Sequence, residues 1–189
     1  MRRLWLFITM IGIGAGLGMA QWGSQTEIRG FYLQGSGFDY RSGSPDFDVR
    51  GETLKGGGFG FTSTPTEWFG IWLDVNFFSD VRQGSVSSSL MVEAQGLRFS
   101  TPSYGPFQLY GRAGGGLARF VFDFGGSQGG QYSPALILGG GAMIHTSSWL
   151  SIYFDASQLT VGLPDLTGAP DRDGWDTSLL VSIGVALKF

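Results

Sequence analysis

A single histidine, His145, stands directly before Thr146-Ser147-Ser148 in this chain of 189 residues. A histidine beside hydroxyls is raw material for nucleophilic catalysis, provided the base lies within about 3 Å of the oxygen it activates. There is no second histidine, and these hydroxyls belong to a short polar connection. The expectation is therefore a structural histidine and no catalytic residue. The stretch Asp171-Arg172-Asp173-Gly174-Trp175-Asp176 offers closely spaced carboxylates around a glycine, which can ligate Ca²⁺ through oxygen. It lacks the 12-residue loop pattern and its closing Glu. A solvated acidic turn is the expectation there, as for Asp46, Asp48 and Glu52. No cofactor or metal is assigned. A third set is more informative. Asp74, Arg112 and Asp155, with Arg98 as a further candidate, each sit inside a stretch that alternates apolar with polar residues. Charge withdrawn from water is costly unless paired, so these residues are expected to form an interior polar network. If the stretches close around a common interior, such a network could gate a narrow pore through it or plug it, and the plug is the favoured expectation.

The elements that would carry these residues follow from a period of two. In Trp68–Ser79, Phe69, Ile71, Leu73, Val75 and Phe77 share one face, and Gly70, Trp72, Asp74, Asn76 and Phe78 the other. In Trp149–Leu159, Leu150, Ile152, Phe154 and Ala156 oppose Ser151, Tyr153, Asp155 and Ser157. Eight such stretches are predicted, over Thr26–Phe38, Leu54–Ser63, Trp68–Ser79, Ser87–Ser100, Phe107–Phe124, Tyr132–His145, Trp149–Leu159 and Trp175–Phe189. Their connections alternate in length. Thr64–Glu67, Thr101–Pro106 and Thr146–Ser148 are short; Asp39–Thr53, Asp80–Val86, Gly125–Gln131 and Thr160–Gly174 are longer. Short turns at one end and long loops at the other characterise bacterial outer-membrane barrels.

Two stretches resist this pattern. Glu93 and Gln95 share parity with Met91, Leu97 and Phe99, so a bulge that shifts the register, or a place at the rim, is expected. In the first stretch Glu27 and Arg29 share parity with Phe31 and Leu33, and the pattern leaves its lipid-facing side open. Inward glycines among Gly114-Gly115-Gly116 and Gly139-Gly140-Gly141 would leave room for Arg112, Tyr110 and Tyr153, or would serve barrel curvature alone.

Composition bounds the class. The chain has 33 glycines, 15% aromatic residues, 14% charged residues and no cysteine. Arg2 and Arg3, an apolar run from Leu4 to Leu17 and the small-residue exit Gly18-Met19-Ala20 have the layout of a signal peptide over residues 1–20. The apolar run is short for a spanning helix, which needs about 20 apolar residues. Without Arg2 and Arg3 the 12 Lys+Arg fall to ten against 15 Asp+Glu, a formal net charge of −5. That excludes the basic footprint a nucleic-acid partner would require.

The final strand ends Ser182-Ile183-Gly184-Val185-Ala186-Leu187-Lys188-Phe189, with Trp68, Phe107, Trp149 and Phe189 all near the turn side. In these features the chain resembles the small eight-stranded outer-membrane barrels of the OmpA-like and OmpX-like type, over nearly all of residues 26–189. The resemblance implies an all-β fold, an eight-stranded antiparallel up-and-down transmembrane β-barrel over 21–189 behind a cleavable signal peptide. It also implies that Ser182, Gly184, Leu187 and Phe189 are read as an assembly signal by the barrel-insertion machinery. No wall-binding domain is expected after Phe189. The expected function is a monomeric, non-enzymatic barrel in outer-membrane lipid of a bacterial cell, structural or surface-interacting, displaying four extracellular loops. The alternatives are an enzyme acting on lipid A or phospholipid, and a barrel that binds or passes a small solute. Relatives with lipid A chemistry act at the outer leaflet, and His145 is expected at the opposite, periplasmic end.

Overall fold

A computed structural model describes residues 25–41, 48–83, 86–123, 128–162 and 174–189. The described residues hold eight strands: β1 (Gln25–Arg41), β2 (Asp48–Thr66), β3 (Phe69–Gln83), β4 (Val86–Ser100), β5 (Phe107–Asp123), β6 (Gln128–His145), β7 (Leu150–Gly162) and β8 (Trp175–Lys188). Every neighbour is antiparallel in chain order, and β1 pairs with β8 from Glu27↔Lys188 to Ser36↔Leu179. The barrel is closed, so no strand edge is left with unpaired backbone groups, the condition a sheet must meet in hydrocarbon. The proposed signal peptide, residues 1–20, lies outside the described residues.

Alternation sorts side chains onto two surfaces. In β8, Val181, Ile183, Val185 and Leu187 point outward, while Leu180, Ser182 and Ala186 are buried inside. In β3, Trp72, Asp74, Asn76 and Phe78 are buried and Phe77 is exposed. The outside is a coat of large apolar groups, interrupted by outward Lys55, Glu93, Gln95 and Arg119. At the turn end it is closed off by exposed Trp68, Phe99, Tyr104, Phe107, Trp149 and Phe189. Trp68 stacks on Phe99 with ring centroids 6.5 Å apart.

The inside has two layers, which the sequence reading did not anticipate. Toward the turn end it is polar, with Glu27, Arg29, Asp74, Arg98, Ser151 and Asp155 all buried. Toward the other end it is apolar: Leu33, Leu54, Phe78, Leu90, Val92, Phe120, Ile137 and Leu159 form one buried cluster. The unsettled side of β1 is resolved by this layering. Glu27, Arg29 and Leu33 are all interior, the first two in the polar layer and Leu33 in the apolar one, while Ile28 and Tyr32 are exposed outside.

Two expectations need correction. The long connections are shorter than predicted, because β2 already begins at Asp48, β3 runs to Gln83 and β6 starts at Gln128. Gly, Ser and Asp disfavour strands on average, but here the ladder continues through them, as in Phe122↔Gly129 and Val81↔Ser88. Asp48 and Glu52 therefore belong to a strand backbone, while Asp46, Asp171 and Asp173 lie outside the described residues. Second, no bulge separates Glu93 from Gln95. Pairing of β4 with β5 is unbroken from Ser87↔Asp123 to Ser100↔Tyr110. Both side chains point outward near the middle of the strand, away from either rim.

Candidate functional site

The polar layer is built by side chains that four strands aim at the barrel axis. Asp74 on β3 is 1% exposed and accepts from two arginines. Arg29 Nη2 on β1 donates to Asp74 Oδ1 at 2.6 Å, and Arg112 Nη1 on β5 donates to Asp74 Oδ2 at 2.5 Å. Arg112 also reaches across the lumen to β7, where Nη2 donates to Asp155 Oδ1 at 2.8 Å and to Ser157 Oγ at 2.9 Å. Tyr110 Oη donates to the other Asp155 oxygen at 3.0 Å, and Ser157 Oγ donates to Asp155 Oδ1. Asp74, Arg112 and Asp155 thus meet in one chain of charge-assisted bonds, the kind that is both short and strong.

Each arginine also lies over an aromatic ring. Arg112 sits 5.0 Å above Trp72, Arg98 4.2 Å above Tyr110 and Arg29 5.5 Å from Tyr153. Cation–π attraction is stronger where the guanidinium is desolvated. Glycines create the space. A Cβ at Gly60 would collide with the Asp74 carboxylate, and one at Gly114 with the Trp72 ring. Inward glycines therefore accommodate the network directly.

A second group lies nearer the turn end. Arg98 Nη1 donates to Glu27 Oε2 at 3.0 Å, and Lys188 Nζ stands 3.9 Å from Glu27 Oε1. Lys188 Nζ donates to His145 Nδ1 at 2.9 Å, and Ser151 Oγ lies 3.0 Å from the same nitrogen. His145 is therefore at the turn end, held by Lys188 and Ser151. Ser151 is fully buried, so the hydroxyl paired with the histidine is not presented to any ligand.

The four residues of the expected assembly signal occupy distinct environments. Ser182 is interior, and Gly184 faces Tyr153 and Phe31 where a Cβ would be too close. Leu187 points outward, and Phe189 lies just beyond β8 and is 73% exposed. Phe189 N donates to the Thr26 carbonyl at 2.9 Å, tying the last residue to β1.

Sequence reading left Glu27 and Arg29 unassigned, and put Tyr110 and Ser157 on the inward side without naming them as partners in the network. Ser157 carried a usable signal, since it shares the polar parity of Asp155. Glu27 and Arg29 did not, because their parity also holds Phe31 and Leu33.

No protein-family model matches the chain, and no curated protein does. Solved structures do. Neisserial surface protein A matches with a TM-score of 0.66 at 15% identity, over 88% of this chain and 97% of that one. Ail, the attachment invasion locus protein of Yersinia pestis, in complex with the heparin analogue sucrose octasulfate, matches at 0.58 and 14% identity, over 88% and 99%. The outer membrane protein OprG from Pseudomonas aeruginosa matches at 0.53 and 16% identity, over 88% and 96%. At these identities the likeness is one of fold, and the fold is that of the small eight-stranded outer-membrane β-barrels.

Proposed function

We propose that the chain is an integral barrel of a bacterial outer membrane, exported by its signal peptide and monomeric. Its role is structural or surface-interacting, with its loop end displayed outside the cell and its lumen plugged by its own side chains. The observation that carries the reading is Arg112 bridging Asp74 on β3 to Asp155 on β7 across the lumen, inside a wall whose outer face is apolar. Eight-stranded barrels have interiors that side chains can fill. The packed apolar layer beyond the ion pairs supports a plug over a pore.

A non-enzymatic role is part of the proposal. Its support is that the hydroxyl beside the histidine, Ser151 Oγ, is buried, while Nδ1 also receives Lys188. Assembly through the insertion machinery is proposed for Ser182, Gly184, Leu187 and Phe189. Its support is that β8 closes the barrel against β1, so its correct placement completes the fold.

Membrane fractionation with gel mobility before and after boiling tests this reading. The expected result is an outer-membrane band that shifts on heating, with less folded band for Phe189→Ala. Recovery of the wild-type chain in the soluble fraction would overturn the membrane role. A steady conductance in planar bilayers would replace the plug with a solute-passing barrel.

A further inference from the structure

The turn end of the barrel holds an open cavity of about 790 Å³, whose lining includes Arg98, Lys188, His145, Glu27, Gln25 and Ser148. We propose that this cavity binds an oxyanion group, a carboxylate or a phosphate, presented from the turn side. Its volume is in the range of ligand-binding clefts, roughly 300–1,000 Å³.

Its lining sets two cations, Lys188 and Arg98, against two carboxylates, Glu27 and Glu67, among hydroxyls and amides that both donate and accept. Lys188 and Arg98 bring two positive charges to the inner wall, against the single carboxylate of Glu27 that both already contact. Lys188 has no acceptor to offer, so its 2.9 Å contact makes His145 Nδ1 the acceptor. The neutral imidazole then carries its hydrogen on Nε2. Arg98 is 1% exposed, and its Nε is buried with no hydrogen-bond partner. That nitrogen is closed off from the cleft, so an anion there would act on the guanidinium through its charge and not by pairing with Nε. Glu67, another lining residue, is exposed at the rim, where water screens it.

The cavity is a dead end. Beyond it, Tyr110, Arg112 and Asp155 close the lumen, so a ligand would leave by the route it entered. The geometry describes a receptor site, not a stage of transport. The site stands on the barrel geometry alone; only its periplasmic address rests on the outer-membrane reading. Fractionation and ligand binding can therefore fail independently.

The test uses the full barrel folded in detergent micelles, titrated calorimetrically with inorganic phosphate and with acetate. Heat-modifiable mobility confirms folding of each variant. Saturable binding of at least one anion at millimolar concentration is expected, weakened by roughly tenfold or more in Lys188→Met. Ser148→Asp alters an exposed lining residue and should weaken binding without disturbing buried groups, so it carries the test if Lys188→Met does not fold. Lys55→Met, outward on β2, should bind as wild type. Preference for acetate marks a carboxylate ligand and preference for phosphate a phosphorylated one. Absence of binding to either anion, wild-type affinity in the folded cavity variants, or equal loss in Lys55→Met would overturn the proposal.

Discussion

Arg112 holds two carboxylates that would otherwise face each other's charge inside the wall. Truncating it to Ala leaves Asp74 with Arg29 alone and Asp155 with Tyr110 and Ser157. Breaking a buried pair from one side costs about 3–5 kcal/mol. Arg112→Ala should lower the urea midpoint of the folded barrel by a corresponding amount. Its conductance should stay near that of wild type, because Val92, Phe120, Ile137 and Leu159 still fill the section beyond. A large conductance rise at an unchanged midpoint would mean that Arg112 is a gate. Asp74, Arg112 and Asp155 were legible in the sequence because strict alternation allowed them only one side. Glu27 and Arg29 were not, because the interior changes polarity along its axis. A face holding charge near the turns and Leu33 farther up reads as ambiguous to any rule that assigns one character to a whole strand.

At the level of elements, strand existence was legible and strand ends were not. All eight stretches follow from period two, since a slip of one residue would turn every side chain over, and their order follows from the alternation of short and long connections. The ends failed where backbone pairing, not side-chain pattern, extends the strand, as at Asp48 and Gln128. Pro65 misled in the same direction. It was placed in a turn, yet lies within β2, at the register shift between Ser63 and Thr66, where a missing N–H is tolerated. Strand β4 shows the opposite case, a pattern that looked broken and is not. Among the described residues neither the Glu93 nor the Gln95 side chain has a hydrogen-bond or ion-pair partner. Glu93 sits at mid-strand between Val75 and Leu117 on its neighbours. A carboxyl facing hydrocarbon destabilises a barrel, though less than a basic group does. Glu93→Leu should therefore raise unfolding stability in lipid bilayers by about 1–2 kcal/mol. Unfolding titrations in vesicles would show it, and a loss of stability would mean that the carboxyl is solvated or engaged in the native membrane state.

For the whole molecule, closure and orientation are linked. A closed sheet of eight strands could place its apolar coat against lipid, or belong to a soluble carrier whose apolar groups point inward. The described barrel has apolar groups on both surfaces at its far end, which is why composition alone could not decide. The outward coat settles the matter physically only if it meets hydrocarbon, and Ile183 offers the discriminating position. It points outward on β8, flanked by Phe154 on β7 and Tyr32 on β1, both also exposed. A basic residue at the bilayer midplane costs about 2–4 kcal/mol, and almost nothing where the wall is wet. Ile183→Arg should leave the interior network intact, because its side chain points away from Asp74 and Arg112. In vesicles its unfolding stability should fall by about 2–4 kcal/mol relative to wild type. The loss should shrink when the barrel is held in a bilayer thin enough to bring that position toward the interface. Equal stability of Ile183→Arg and wild type in vesicles would place this coat in water, and the membrane reading would have to be abandoned with it.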